Sequence, residues 1–184
     1  SYIGKTPTSV PLTSSDITDG IITSAKMAFA TGKVLQVVSA TKVDLANTTS
    51  TTFANIPGLS VNITPSSTSN KILLIMSILG TNRSNALMIR FARGGTGISL
   101  GTNSGSRTAT TIGNFYDGTD TNNSSGEGSH FLDSPSSTSE LTYTVQFRMG
   151  ESGSTSYING SADDADAGYT ARGTSTLTAF EVVG

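Results

Sequence analysis

Apolar residues in this chain come in short runs that recur at every second position, divided by stretches of Ser, Thr, Gly and Asn. The clearest run is LTYTVQFRM at 141–149, where Leu141, Tyr143, Val145, Phe147 and Met149 alternate with Thr142, Thr144, Gln146 and Arg148. Successive side chains of an extended backbone point to opposite faces, so this period predicts a half-buried strand. FANIPGLSVNITP at 53–65 sets Leu59, Val61 and Ile63 against Ser60, Asn62 and Thr64. ALMIRFARG at 86–94 sets Leu87, Ile89 and Phe91 against Met88, Arg90 and Ala92. KILLIMSIL at 71–79 is apolar on both faces, and its length and polar flanks predict a central strand rather than a helix. Shorter strands are predicted in VLQVVSA (34–40), GTGISLG (95–101), TATTIGNFY (108–116), HFLDSP (130–135) and TSYING (155–160). GTSTLTAFEVVG (173–184) closes the chain as a strand with Leu177, Ala179 and Val183 on one side, placed centrally in a sheet. Residues 117–129 and 161–172 read as loops.

No helical pattern separates these roughly eight to ten strands, which excludes a βαβ architecture. The expected fold is all-β: an antiparallel, jelly-roll-like β-sandwich over residues 32–184. Residues 1–31 read differently, as an extended N-terminal arm. Pro7 and Pro11 favour extended backbone, and the arm then carries ITDGIITSAKMA at 17–28. Ser24 to Ala30 has room for about two helical turns, capped by Asp19 or Thr23, too short to hold a helix alone. This hook therefore needs a surface, and Ile17, Ile21, Ile22 and Met27 are the residues expected to assemble or attach.

Composition narrows the function classes. Ser and Thr supply 57 of 184 residues and only 13% are charged, with a net charge of -2. A duplex-binding surface needs a basic field, so a nucleic-acid partner is not expected. There is no Cys, which excludes disulfides and thiolate metal sites. No apolar run approaches the ~20 residues of a membrane-spanning helix, so membrane insertion is not expected.

Candidate chemistry is sparse. His130 is the single histidine, and no G-x-S-x-G elbow follows a strong strand to give it a nucleophile. Asp163, Asp164 and Asp166 offer hard oxygen ligands at close spacing, suited to calcium, but the stretch lacks the Gly and the terminal Glu of a calcium loop. A solvated turn accounts for it better. RGGTG at 93–97 lacks the Lys-Ser/Thr of a phosphate loop and reads as a hairpin turn. Tyr116, Tyr157 and Tyr169 lie in or beside loops, where rings either stack on glycan or receptor groups or plug the rim of the sandwich. No cofactor and no catalytic constellation is expected. In KILLIMSIL the surplus apolar surface is assigned either to a subunit interface, with Leu74, Met76 and Ile78 meeting symmetry mates, or to a two-sheet core.

The hook ITDGIITSAKMA resembles the I-x-D-G-x-[IV]-x-x-x-K-[LM]-A units that precede C-terminal heads in tail fibres and related virion proteins of tailed, marine-type bacteriophages. GKVLQVVSATKVD (32–44), GLSVNITPSSTSNKILLIMSI (58–78), RFARGGT (90–96), FLDSP (131–135), YTVQFR (143–148) and RGTSTLTAFEVVG (172–184) are similar to stretches of the same proteins. The resemblance implies a non-enzymatic virion component on the particle surface. Its head would be a homotrimeric jelly roll like those of the complement and tumour-necrosis-factor type. The arm would contact other virion proteins, and the head a host-surface glycan or protein. With a single hook unit and no long shaft, a short tail fibre or fibre tip is the first expectation. A capsid-surface or vertex decoration protein is the alternative, and a glycan-binding head or depolymerase a further one.

Overall fold

The computed structural model describes residues 32–82, 86–114, 124–162 and 164–184. The proposed arm, with Ile17, Ile21, Ile22 and Met27, lies outside them, as does Tyr116. The described residues form strands and connections with no helix. The strands are β1 (Val34–Lys42), β2 (Ala46–Thr48), β3 (Ala54–Ile63), β4 (Lys71–Asn82), β5 (Leu87–Arg93), β6 (Thr96–Ile98), β7 (Ile112–Asn114), β8 (Ser125–Asp133), β9 (Leu141–Met149), β10 (Ser156–Ile158) and β11 (Ser175–Val182).

They make two antiparallel sheets. In sheet A the order is β1-β11-β4-β10-β2, with β8 on the other edge of β4. In sheet B the order is β3-β9-β5-β6, with β7 also paired to β5. The chain changes sheet between β2 and β3, at each of the next two connections, and again from β7 through β10. The closing strand β11 lies between β1 and β4, the central place its sequence predicts.

The alternating runs become the two inner faces. Ile72, Leu74, Met76 and Ile78 of β4 and Leu177 and Ala179 of β11 meet Leu59, Val61 and Ile63 of β3, Leu87, Ile89 and Phe91 of β5 and Tyr143, Val145 and Phe147 of β9. Each such large side chain withdrawn from water stabilises the fold by about 1.5–3 kcal/mol. Leu74, Met76 and Ile78 are therefore core residues, at most 1% exposed, and not a subunit interface. The two-sheet alternative accounts for them, because the facing sheet supplies their neighbours.

One further expectation is corrected. The stretch 117–129 is not loop throughout, since β8 begins at Ser125 and runs antiparallel to β4 from Ile72↔Asp133 to Gly80↔Ser125. Its first half shows no apolar period because Ser125, Glu127 and Ser129 alternate with Gly126 and Gly128. The open edge of β4 supplies the ladder that the sequence of β8 does not announce. In β3 the register slips between Asn55 and Ser60, where Pro57 and Gly58 bulge the strand. Gly58 sits at φ 83°, in the left-handed region that favours glycine.

Polar groups lock the ends of the sandwich. Asn159, fully buried at φ 67°, donates from its side chain to the carbonyls of Lys42 and Asp44 and accepts from Ser175 Oγ. Its backbone N–H donates to Leu79 O, and its carbonyl accepts from Gly173. At the opposite end of β11, buried Glu181 accepts from the backbone and hydroxyl of Ser66, from Asn70 and from Gln36. Burial raises its pKa, but these hydrogen bonds outweigh that and hold the carboxyl below its ordinary value of 4.5. Between the sheets, Asp133 of β8 accepts from Tyr143 of β9 at 2.6 Å and pairs with Arg93 of β5.

Candidate functional site

Once the inner faces are full, the outer face of sheet A is the surface with unspent apolar area. The register aligns its side chains in rows across β1, β11, β4 and β8. One row reads Val37, Phe180, Leu73, Leu132, with Val37 52% and Leu132 53% exposed. The next reads Ser39, Thr178, Ile75, His130, with Ile75 42% exposed. Val34 pairs with Val182 at the end of the same face, and Val34 is also exposed. A contiguous exposed apolar patch marks an interaction surface, whereas scattered single residues need no explanation.

A shallow depression crosses this face, lined by Leu73, Ile75, Met76, Gly128, Ser129 and His130. Its floor is open because Gly126 and Gly128 of β8 carry no side chain beside Leu79 and Ser77. Among the described residues, His130 has no hydrogen bond to a hydroxyl or a carboxylate, so the structure assembles no triad around it. It stands instead opposite Ile75, between the apolar row of Leu73 and Leu132 and the glycines of β8.

The other candidate residues do not gather at this patch. Tyr157 is half-buried in β10, paired with Asn47 and Thr81. Tyr169 is 73% exposed in the stretch before β11. Asp163 lies outside the described residues; Asp164 forms an ion pair with Arg172, and Asp166 is exposed. Among the described residues no group of three His, Cys, Asp or Glu side chains is placed to hold a metal ion. No helix there is long and apolar enough to cross a membrane.

The residues of the patch were missed by the strand-by-strand reading. A signal existed in KILLIMSIL: one parity, Ile72, Leu74, Met76, Ile78, is uniformly apolar, while the other contains Lys71 and Ser77. Polar interruptions mark the parity that meets solvent. Phe180, Leu132 and Val37 share that face through the cross-strand register, which a single strand does not reveal.

The outer face of sheet B contrasts with it. Asn62 pairs with Thr142, Ser60 with Thr144, Asn55 with Gln146, Gln146 with Arg90, and Arg148 with Met88. Its strands carry Arg90, Arg93 and Arg148 and no acidic residue. No protein-family model matches the chain, and no curated protein matches it in sequence.

Proposed function

We propose that this chain is a non-enzymatic surface protein of a tailed-bacteriophage virion, whose β-sandwich head forms a homotrimer through the outer face of sheet A. The observation that carries this reading is the row Val37–Phe180–Leu73–Leu132, an apolar surface continuous over adjacent strands. Closed cyclic assembly covers such a face without leaving a sticky end. The fold adds support: the chain alternates between two antiparallel sheets with its last strand beside its first, as a jelly-roll head requires. That agrees with the complement and tumour-necrosis-factor type of head implied by the sequence resemblance. With no disulfide available, burial between subunits is a further source of stability for a head that works outside a cell.

On this reading residues 1–31 anchor the head to the particle, and sheet B faces the surroundings. A short tail fibre or fibre tip is the assignment preferred. Electron microscopy of the intact particle tests it: density for three copies at a fibre or tail tip supports it. Density dispersed over the capsid surface replaces it with the decoration reading, and absence of the chain from particles overturns it.

A further inference from the structure

The cations of the head are unequally served. Among the described residues, Lys42 pairs with Asp44, Arg93 with Asp133 and Arg172 with Asp164. Among the described residues Arg90 and Arg148 have no carboxylate partner, yet both are held at one ring. The Arg90 guanidinium lies 3.9 Å from the centroid of Phe53, and that of Arg148 lies 5.7 Å from it. Two like charges so placed repel, and no acid of the described residues pairs with either.

Arg90 is also pre-positioned. Its Nε donates to Gln146 Oε1 at 2.8 Å, and Gln146 Nε2 donates to Asn55 Oδ1 at 2.9 Å. Gly97 makes room for it, since a Cβ there would stand 2.8 Å from Cζ and Nη1. The two Nη groups keep four N–H bonds with no acceptor among the described residues. Arg148 spends one N–H from each nitrogen on Met149 O, Thr108 Oγ1 and Gly150 O, leaving two. Burial draws the Arg90 pKa down, a sign that its charge is partly desolvated without compensation. Around this pair the face offers amides and hydroxyls: Asn55, Ser60, Asn62 and Thr142 are exposed. A fixed guanidinium fork on an aromatic ring matches an oxyanion bidentately, and a neutral hydrogen-bonding surround suits sugar hydroxyls.

We propose that the outer face of sheet B is a binding site for an acidic glycan, with Arg90 and Arg148 gripping a carboxylate or sulfate oxyanion beside Phe53 and the exposed Asn55 amide, braced by buried Gln146, engaging a neighbouring hydroxyl. Its residues are other than Tyr116, Tyr157 and Tyr169, and it does not depend on the virion reading. An acidic peptide would also satisfy the charges, but among the described residues no strand of sheet B carries an exposed large hydrophobic side chain for its apolar groups to meet.

The test titrates the full chain with hexagalacturonate, a sulfated chondroitin hexasaccharide, neutral maltohexaose and hexaglutamate, by calorimetry in low salt. Binding of one or both acidic glycans, no binding of maltohexaose, and at least tenfold weakening by Arg90→Gln and by Arg148→Gln are expected. Preference between the first two assigns the oxyanion to carboxylate or sulfate. Arg90→Lys keeps the charge without the fork and is expected to fall between wild type and Arg90→Gln. Arg172→Gln, beside Gly160 at the end of sheet A and paired with Asp164, is the charge-matched control and keeps full affinity. Thermal unfolding of each variant separates lost binding from lost folding. If Arg90→Gln unfolds, Arg148→Gln and the salt dependence of wild-type affinity decide. Failure of wild type to bind either acidic glycan at millimolar concentration overturns the proposal. So does equal weakening by Arg172→Gln, or tighter binding of hexaglutamate.

Discussion

Asn159 shows how much one residue can organise. Its left-handed backbone is a conformation that Asn tolerates better than most residues, and its side chain satisfies two carbonyls at the β1 end of sheet A. Asn159→Ala strips those bonds and strains the backbone, so it should cost about 2–4 kcal/mol in denaturant unfolding. Asn159→Gly relieves the strain but not the lost bonds, and should fall between the two. Equal stability of all three would contradict the role assigned to the side chain. Glu181 carries a pH dependence of definite sign. Its folded pKa lies below 4.5, so its contribution is complete above that value and is lost as pH falls through the folded pKa. Glu181→Gln should lower stability by about 1–3 kcal/mol near neutrality. The gap between variant and wild type should close as pH falls below 4.5, measured by thermal melts across the acid range. A gap that stays constant through that range would remove the carboxylate from the account.

At the scale of elements, β4 and β8 mark what a sequence reveals and what it withholds. Strand β9 is the most legible, because its odd positions are all apolar and its even positions all polar. In β4 both parities are apolar, so the reading left Leu74, Met76 and Ile78 divided between core and interface. The facing sheet resolved this, and the interface-like residues are their odd-numbered neighbours, Leu73 and Ile75. The first half of β8 was illegible because alternating Ser and Gly carries no burial signal; the pairing belongs to the edge of β4. The Arg90–Phe53 contact was equally hidden, as it joins the residue before β3 to the middle of β5. The exchange of parity in β4 gives a clear expectation. Leu74→Ala leaves a cavity between the sheets and should cost about 2–5 kcal/mol of the head's own stability. Leu73→Ser should change that stability by only about 0.5 kcal/mol while weakening self-association. Unfolding of each variant, with mass measured in parallel, checks both. If the two substitutions destabilise equally, the division of β4 into a core parity and a surface parity is wrong.

For the whole molecule, the two outer faces imply different surroundings. Sheet A presents Val37, Phe180, Leu73 and Leu132 in register, while sheet B presents amides, hydroxyls and arginines. A trimer closed on sheet A leaves sheet B outward, which is where an acidic glycan would be met. The arm enters this design at Gly32, whose N–H donates to Val183 O beside the edge strand β1. Deleting residues 1–28 should therefore leave a folded head that no longer joins the particle. Normal incorporation of that truncated head would separate the arm from attachment.

The central claim is that the apolar face of sheet A is buried between copies of this chain. Native mass spectrometry of the full chain at micromolar concentration tests it most directly, comparing wild type with the double substitution Leu73→Glu and Leu132→Glu. The account predicts three copies for wild type and one folded copy for the variant; a wild-type monomer, or a variant that still assembles as a trimer, would contradict it.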